Sequence, residues 1–172
     1  MRARAFWKAV TVDRGDLLQR VVAQLNDRAA RFCVIGGVAV NAYVEPVVTL
    51  DLDLVIAAAD QPAVEAALED LRIERFAHSV NISSPDSDLR VQIQTDSRYA
   101  PFIARAELRD VLGIALPVAR IEDLLQGKVW AAMDPERRAS KRQKDLADIA
   151  RLLEHRPDLR AHVPAQVLDR LL

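Results

Sequence analysis

Two aspartates, Asp51 and Asp53, interrupt the apolar run "VVTLDLDLVIA". The strict alternation from Thr49 to Val55 reads as a β-strand. Residues two apart on a strand share a face, with Cα atoms roughly 6.6 Å apart. The two carboxylates therefore project together, and Leu50, Leu52 and Leu54 are expected to point to the core. Aspartate is among the poorest strand residues, and like charges crowded on one face repel. A divalent cation would remove that repulsion, and Mg²⁺ takes one or two carboxylates plus substrate phosphates. The alternative is a solvated acidic face on an edge strand, where charge blocks aggregation.

A second feature stands just upstream. Gly36-Gly37 lies between the apolar run "RFCVI" and a short helical stretch, "VAVNAY". Backbone N–H groups at such a strand-to-helix turn can hold an anion. A lone Gly-Gly is more often an ordinary turn. A glycine turn opening a helix, followed about a dozen residues later by Asp-x-Asp, would set phosphate-binding amides beside a metal site.

The elements that must position these residues follow from periodicity. Leu17, Leu18, Val21, Val22 and Leu25 have amphipathic-helix spacing over Asp16 to Ala30. Pro46 ends the helical stretch after the glycines, and Pro62 opens the helix "PAVEAALEDL". Two weaker strands follow, roughly Arg75 to Ser83 and Leu89 to Thr95, separated by the turn-rich "SSPDSD". The segment "PFIARAELRDVLG" is ambiguous. Beyond Pro117 the pattern is helical to the end, broken at Asp134-Pro135 and near Pro157 and Pro164. This order predicts an α+β (mixed α/β) fold, a small mixed sheet backed by helices, with a core over residues 1–115 and a helical C-terminal part over 116–172.

Bulk properties narrow the setting. The 172 residues, 51% apolar and 28% charged, suit one compact domain. A net charge of −1 argues against binding bulk DNA by electrostatics alone. Cys33 is the single cysteine and lies in an apolar run, as a buried free thiol in a reducing cytoplasm would. The start "MRARAFWKAV" has no signal-peptide pattern, and no run is long enough for a membrane span.

The stretch "GGVAVNAY...TLDLDLVI" resembles the signature of the nucleotidyltransferase superfamily with the polymerase-beta-like fold, over roughly Arg31 to Asp96. The resemblance implies that Gly36 and Gly37 contact nucleotide phosphate and that Asp51 and Asp53 hold Mg²⁺ (or Mn²⁺). It also implies a third carboxylate on a later strand. The strand in that place is "LRVQIQTD", where Val91 and Ile93 alternate inward and Arg90, Gln92, Gln94 and Asp96 take the other face. Gln92 occupies the expected slot; its carbonyl can coordinate weakly but cannot act as a general base. Asp96 has the right parity near the strand end. Three options stay open: Asp96 substitutes, the acceptor supplies its own base, or the protein binds nucleotide without turnover.

In "RIEDLLQGKVWAAM", Ile121, Leu124, Leu125, Val129 and Ala132 form a helical stripe. Lys128 lies seven, four and three residues after the first three of them, so it falls within the stripe. It either snorkels to the edge or reaches an anion or carboxylate in a cleft. Gly127 beside it points to close packing. In "KRQKDLADIARLL", Lys141–Asp145 and Lys144–Asp148 are i,i+4 pairs that would form a solvated, salt-bridged face. The same two segments also resemble motifs of the abortive-infection type IV toxin nucleotidyltransferases. That resemblance implies that Asp123, Lys128, Asp145 and Asp148 face the nucleotide cleft, although Asp123 is off the Lys128 face. His78, His155 and His162 lack metal-ligand spacing with Cys33, Ser83-Ser84 lacks a base, and Arg90, Arg98 and Arg105 could line an acceptor surface.

The sequence thus leads to a Mg²⁺-dependent transfer of a nucleoside monophosphate from a nucleoside triphosphate to a protein or RNA acceptor, in a toxin–antitoxin or phage-defence setting. Asp51, Asp53 and Lys128 are the expected catalytic residues. A non-catalytic nucleotide or partner binder is the alternative that Gln92 favours.

Overall fold

The structure, a computed structural model, describes residues 16–171. The start "MRARAFWKAV" lies outside the described residues. Seven strands form one mixed sheet: β1 (Phe32–Ile35), β2 (Asp51–Ile56), β3 (Arg72–Arg75), β4 (Ser79–Ser83), β5 (Arg90–Gln94), β6 (Glu107–Val111) and β7 (Ile114–Val118). The helices are α1 (Leu17–Asp27), α2 (Gly36–Val40), α3 (Gln61–Ala66), α4 (Ile121–Met133), α5 (Ala139–His155) and α6 (Ala165–Leu168). Two 3-10 segments, Ser97–Arg105 and Pro157–His162, join them.

Across the sheet the order is β3-β4-β5-β2-β1-β7-β6. The outer pairs β3–β4, β4–β5 and β6–β7 are antiparallel, as is β1–β2, whereas β2–β5 and β1–β7 are parallel. β2 is therefore an interior strand between β5 and β1. That placement removes the edge-strand explanation of Asp51 and Asp53. Leu52 and Leu54 are buried as expected, but Leu50 is 39% exposed because it precedes the strand and belongs to the connection from α2.

The predicted strand over Arg75 to Ser83 is a hairpin instead, with β3 and β4 paired Arg72↔Ser83 to Arg75↔Val80. The ambiguous stretch resolves into the first 3-10 segment and β6. Pro117, expected to open the helical part, lies inside β7. Proline is tolerated there because the one residue of β7 in register with β1 is its neighbour Val118, opposite Val34. α4 and α5 end and begin where the Asp134-Pro135 break predicts.

The core joins Leu17, Leu18, Val21 and Leu25 of α1, the apolar sides of β1 and β2, Leu124 and Leu125 of α4, and Ile149 and Leu152 of α5. Cys33 is buried within it, and desolvation, then the Asp123 charge, pushes its thiol up to about 12. Such a thiol is inert at neutral pH. Among the described residues no helix is long and apolar enough to cross a membrane.

Candidate active site

The register of β1 on β2 builds the first half of the site. Ile35 is the Cα partner of Asp53, so the chain turns into α2 directly over that carboxylate. Gly36 makes the turn at φ +72°, in the left-handed region that side chains rarely adopt. A Cβ placed there would collide with Asp53 Oδ2, so the missing side chain is what leaves room for the carboxylate. Gly37 is less constrained; its Cβ would make ordinary contact with Thr49 at 3.6 Å.

The parallel pairing of β2 with β5 fixes the second wall. Asp51 is in register with Arg90, and Asp53 with Gln92. Gln92 and Gln94 line the cavity, and Gln92 stands beside Asp53. Asp96 does not line it. Its carboxylate accepts from the Arg98 backbone N–H at the start of the 3-10 segment and pairs with the Arg98 guanidinium at 2.8 Å. That carboxylate is thus already engaged by a backbone cap and a cation outside the cavity lining.

α4 and α5 close the far side. Lys128 reaches inward rather than snorkelling, with Nζ 3.1 Å from Asp145 and 2.9 Å from Asp148. Burial disfavours its charge, but Asp148 and Asp145 more than offset this and raise its pKa above that of an ordinary lysine. The i,i+4 pairs expected along α5 do not form. Asp145 instead takes Lys128 and Arg137, the latter at 2.8 Å, and Asp148 takes Lys128 and Arg151, the latter at 2.8 Å. Both aspartates are buried, and a buried carboxylate needs a full set of donors. Gly127 packs as its neighbourhood suggested: the Tyr99 ring lies 3.0 Å from where its Cβ would be, and the Tyr99 hydroxyl donates to its carbonyl. Asp123 lines the cavity but is engaged by Arg105 through two 2.9 Å hydrogen bonds.

These walls enclose a cavity of about 190 Å³ that brings together Gly36, Gly37, Asp51, Asp53, Gln92, Lys128, Asp145 and Asp148. Arg137, which sequence reasoning passed over, also lines it, as do Lys141 and Lys144, which were expected on a solvated face. Their signal was present in the basic run "ERRASKRQK", which an acidic cleft needs for balance. Electrostatically the cavity is uneven. Asp53 makes no direct hydrogen bond or ion pair among the described residues, and burial pushes its carboxyl up to about 6, against the pull of Lys128. The Asp51 charge adds to that rise.

A divalent ion fits this donor set. Among the described residues no group of three or more His, Cys, Asp or Glu is placed to hold a metal. Asp51, Asp53 and the Gln92 amide line the cavity with oxygen atoms, the ligand type of Mg²⁺ completed by substrate phosphates. Asp53, cramped under Gly36 and without a cation of its own, is the oxygen donor that most needs one.

The model of the AbiEii nucleotidyl transferase toxins of type IV toxin–antitoxin systems matches residues 16–171. The chain belongs to this family. It is accordingly a nucleotidyltransferase of the AbiEii toxin family. Among curated proteins no sequence matches. Solved structures share the fold at low identity. The antibiotic-resistance factor ANT(2'')-Ia, in complex with adenylyl-2''-tobramycin, is 18% identical, with 85% of this chain and 96% of that one covered at a TM-score of 0.56. The lincosamide antibiotic adenylyltransferase LnuA, lincomycin-bound, is 12% identical over 83% and 99%, at 0.56. An antigenic nucleotidyltransferase-like protein from Paracoccidioides brasiliensis is 14% identical over 94% and 100%, at 0.52.

Proposed function

We propose that this AbiEii-family chain is a Mg²⁺-dependent (or Mn²⁺-dependent) enzyme that moves a nucleoside monophosphate from a nucleoside triphosphate to a protein or RNA acceptor. The observation that carries this reading is the unpaired Asp53, set beside Asp51 on β2 and cleared by a side-chain-free Gly36. In this reading Asp51 and Asp53 hold the metal, and Gln92 offers its carbonyl as a weak further donor. The amides of Gly36 and Gly37 take phosphate oxygens. Lys128 faces the developing negative charge, and Asp145 and Asp148 hold its ammonium in place on the nucleotide side of the cleft.

The ion would supply charge neutralisation and alignment of the triphosphate for in-line attack. Phosphoryl transfer depends mostly on positioning and electrostatics. Gln92 cannot take a proton, so the acceptor hydroxyl loses its proton to solvent or to a group on the acceptor. This suits a chemistry in which little covalent work falls to the protein.

We further place the protein in the cytoplasm, as the toxin of a toxin–antitoxin pair, with no membrane and no bulk DNA partner. We also take residues 1–115 as the nucleotide-binding core and 116–172 as a helical subdomain that closes over it. The test is to incubate the protein with each labelled nucleoside triphosphate, Mg²⁺ and cell extract, and to follow label into acceptors. Transfer that vanishes in Asp53→Ala supports the reading. Nucleotide binding with no transfer to any acceptor would return the protein to a non-catalytic nucleotide binder.

A further inference from the structure

The two carboxylates that would share one ion start from different states. Among the described residues Asp53 has no cation in direct contact, but Asp51 has two. Arg90 of β5 approaches Asp51 Oδ1 at 2.8 Å, and Lys141 of α5 approaches Oδ2 at 3.2 Å. The first contact follows from the sheet register, which pairs Asp51 with Arg90. The second ties the helix to the sheet across 90 residues of sequence. Both oxygens of Asp51 are therefore occupied by cations before any ligand arrives.

We infer that Arg90 and Lys141 are place-holders for the divalent ion at Asp51, and that their release couples metal binding to nucleotide binding. This rests on the metal-and-nucleotide reading above. A divalent ion approaching alone must displace two cations from Asp51 and meets the repulsion of Lys128 as well. A triphosphate changes both terms. It gives Lys141, which lines the cavity, an anionic partner to move to, and it brings oxygens of its own to the ion. Arg90 is 60% exposed and swings into solvent or towards an acceptor at the mouth. Lys141 is 34% exposed, so its contact with Asp51 is the better shielded and the harder to displace. The coupling is reciprocal: whatever factor nucleotide adds to metal affinity, metal adds to nucleotide affinity.

The test measures Mn²⁺ affinity of the full chain by electron paramagnetic resonance, with and without a non-hydrolysable nucleoside triphosphate analogue. Wild type, Arg90→Gln, Lys141→Met and Asp51→Asn are compared. The analogue should tighten Mn²⁺ binding to wild type by about tenfold or more. Without the analogue, Arg90→Gln should tighten Mn²⁺ binding roughly threefold and Lys141→Met by about tenfold. In both variants the gain from the analogue should shrink, and Asp51→Asn should weaken Mn²⁺ throughout. Metal-alone affinity equal to or below wild type in both variants, with the analogue's gain intact, would overturn the place-holder role while leaving the metal site standing. Wild type that binds neither Mn²⁺ nor the analogue would overturn this inference and the functional reading together.

Discussion

The cleft holds two acidic pairs that differ in almost every physical respect. Asp145 and Asp148 on α5 are buried, and each accepts from two cations: they share Lys128, Asp145 takes Arg137 and Asp148 takes Arg151. Asp51 and Asp53 on β2 are partly exposed, and one of them lacks any direct partner. A satisfied network of buried charges is a structural element, whereas a half-buried carboxylate left short of positive charge stores free energy that a ligand can release. The same residue type, at nearly the same spacing, thus holds a lysine in one place and, on the proposed reading, takes a metal ion in the other.

The sharpest way to break this contrast is Lys128→Met. It removes one of two cations from each of two buried carboxylates, so we expect a loss of about 3 kcal/mol in denaturant unfolding, together with loss of transfer. Wild-type stability in that variant would mean that the α5 pair is not structural.

Asp53→Asn should act in the opposite direction on stability. Transfer should fall by about a thousandfold or more, while the metal-free protein becomes roughly 2 kcal/mol more stable at neutral pH. The sign follows from the raised Asp53 value, about 6 against an ordinary 3.8. The folded chain keeps a proton that the unfolded chain has released, so the contribution is fully present below about pH 4 and is lost as pH rises through 6. Thermal melts of metal-free wild type should therefore lose stability between those limits relative to Asp53→Asn.

Gly36→Ala combines an unfavourable φ with a collision on Asp53 Oδ2, and should cost about 1–3 kcal/mol and weaken metal binding. Calorimetric titration with Mn²⁺ would show it. Gln92→Glu is the smallest of the four. It supplies the missing carboxylate beside Asp53 and should tighten Mg²⁺ by about tenfold, at a cost of about 1 kcal/mol to the metal-free protein. Unchanged affinity would show that position 92 does not face the ion.

Much of the cleft's first half was legible in the sequence because it is local. The Asp-x-Asp alternation and the glycine turn state their own geometry, and strand register does the rest. In the second half the resemblance had named the residues, Asp123, Lys128, Asp145 and Asp148, but not their pairings, because those are set by tertiary packing. Lys141 and Asp145 have the spacing of a surface pair, but burial of Asp145 beside Lys128 overrides it and sends Lys141 to Asp51. β6 escaped notice for a related reason. Glu107, Arg109 and Asp110 spoil its alternation, as befits a strand at the sheet's edge, and Leu108 is 76% exposed. Only its pairing with β7 makes it a strand. Pro117 misled for the same reason, since a residue that usually stops a strand survives where little ladder is asked of it.

The tie between Lys141 and Asp51 has a consequence for the chain's birth as well as its chemistry. Synthesis delivers β1, α2 and β2 long before α4 and α5, and the two halves of the cleft meet only across some 90 residues. Long-range contacts of this kind form late, and domains fold as their last elements emerge. A chain still on the ribosome, lacking α5, can pair Asp51 with Arg90 but not yet with Lys141. On the proposed reading, every unfinished copy lacks the wall of the nucleotide cleft that α5 supplies.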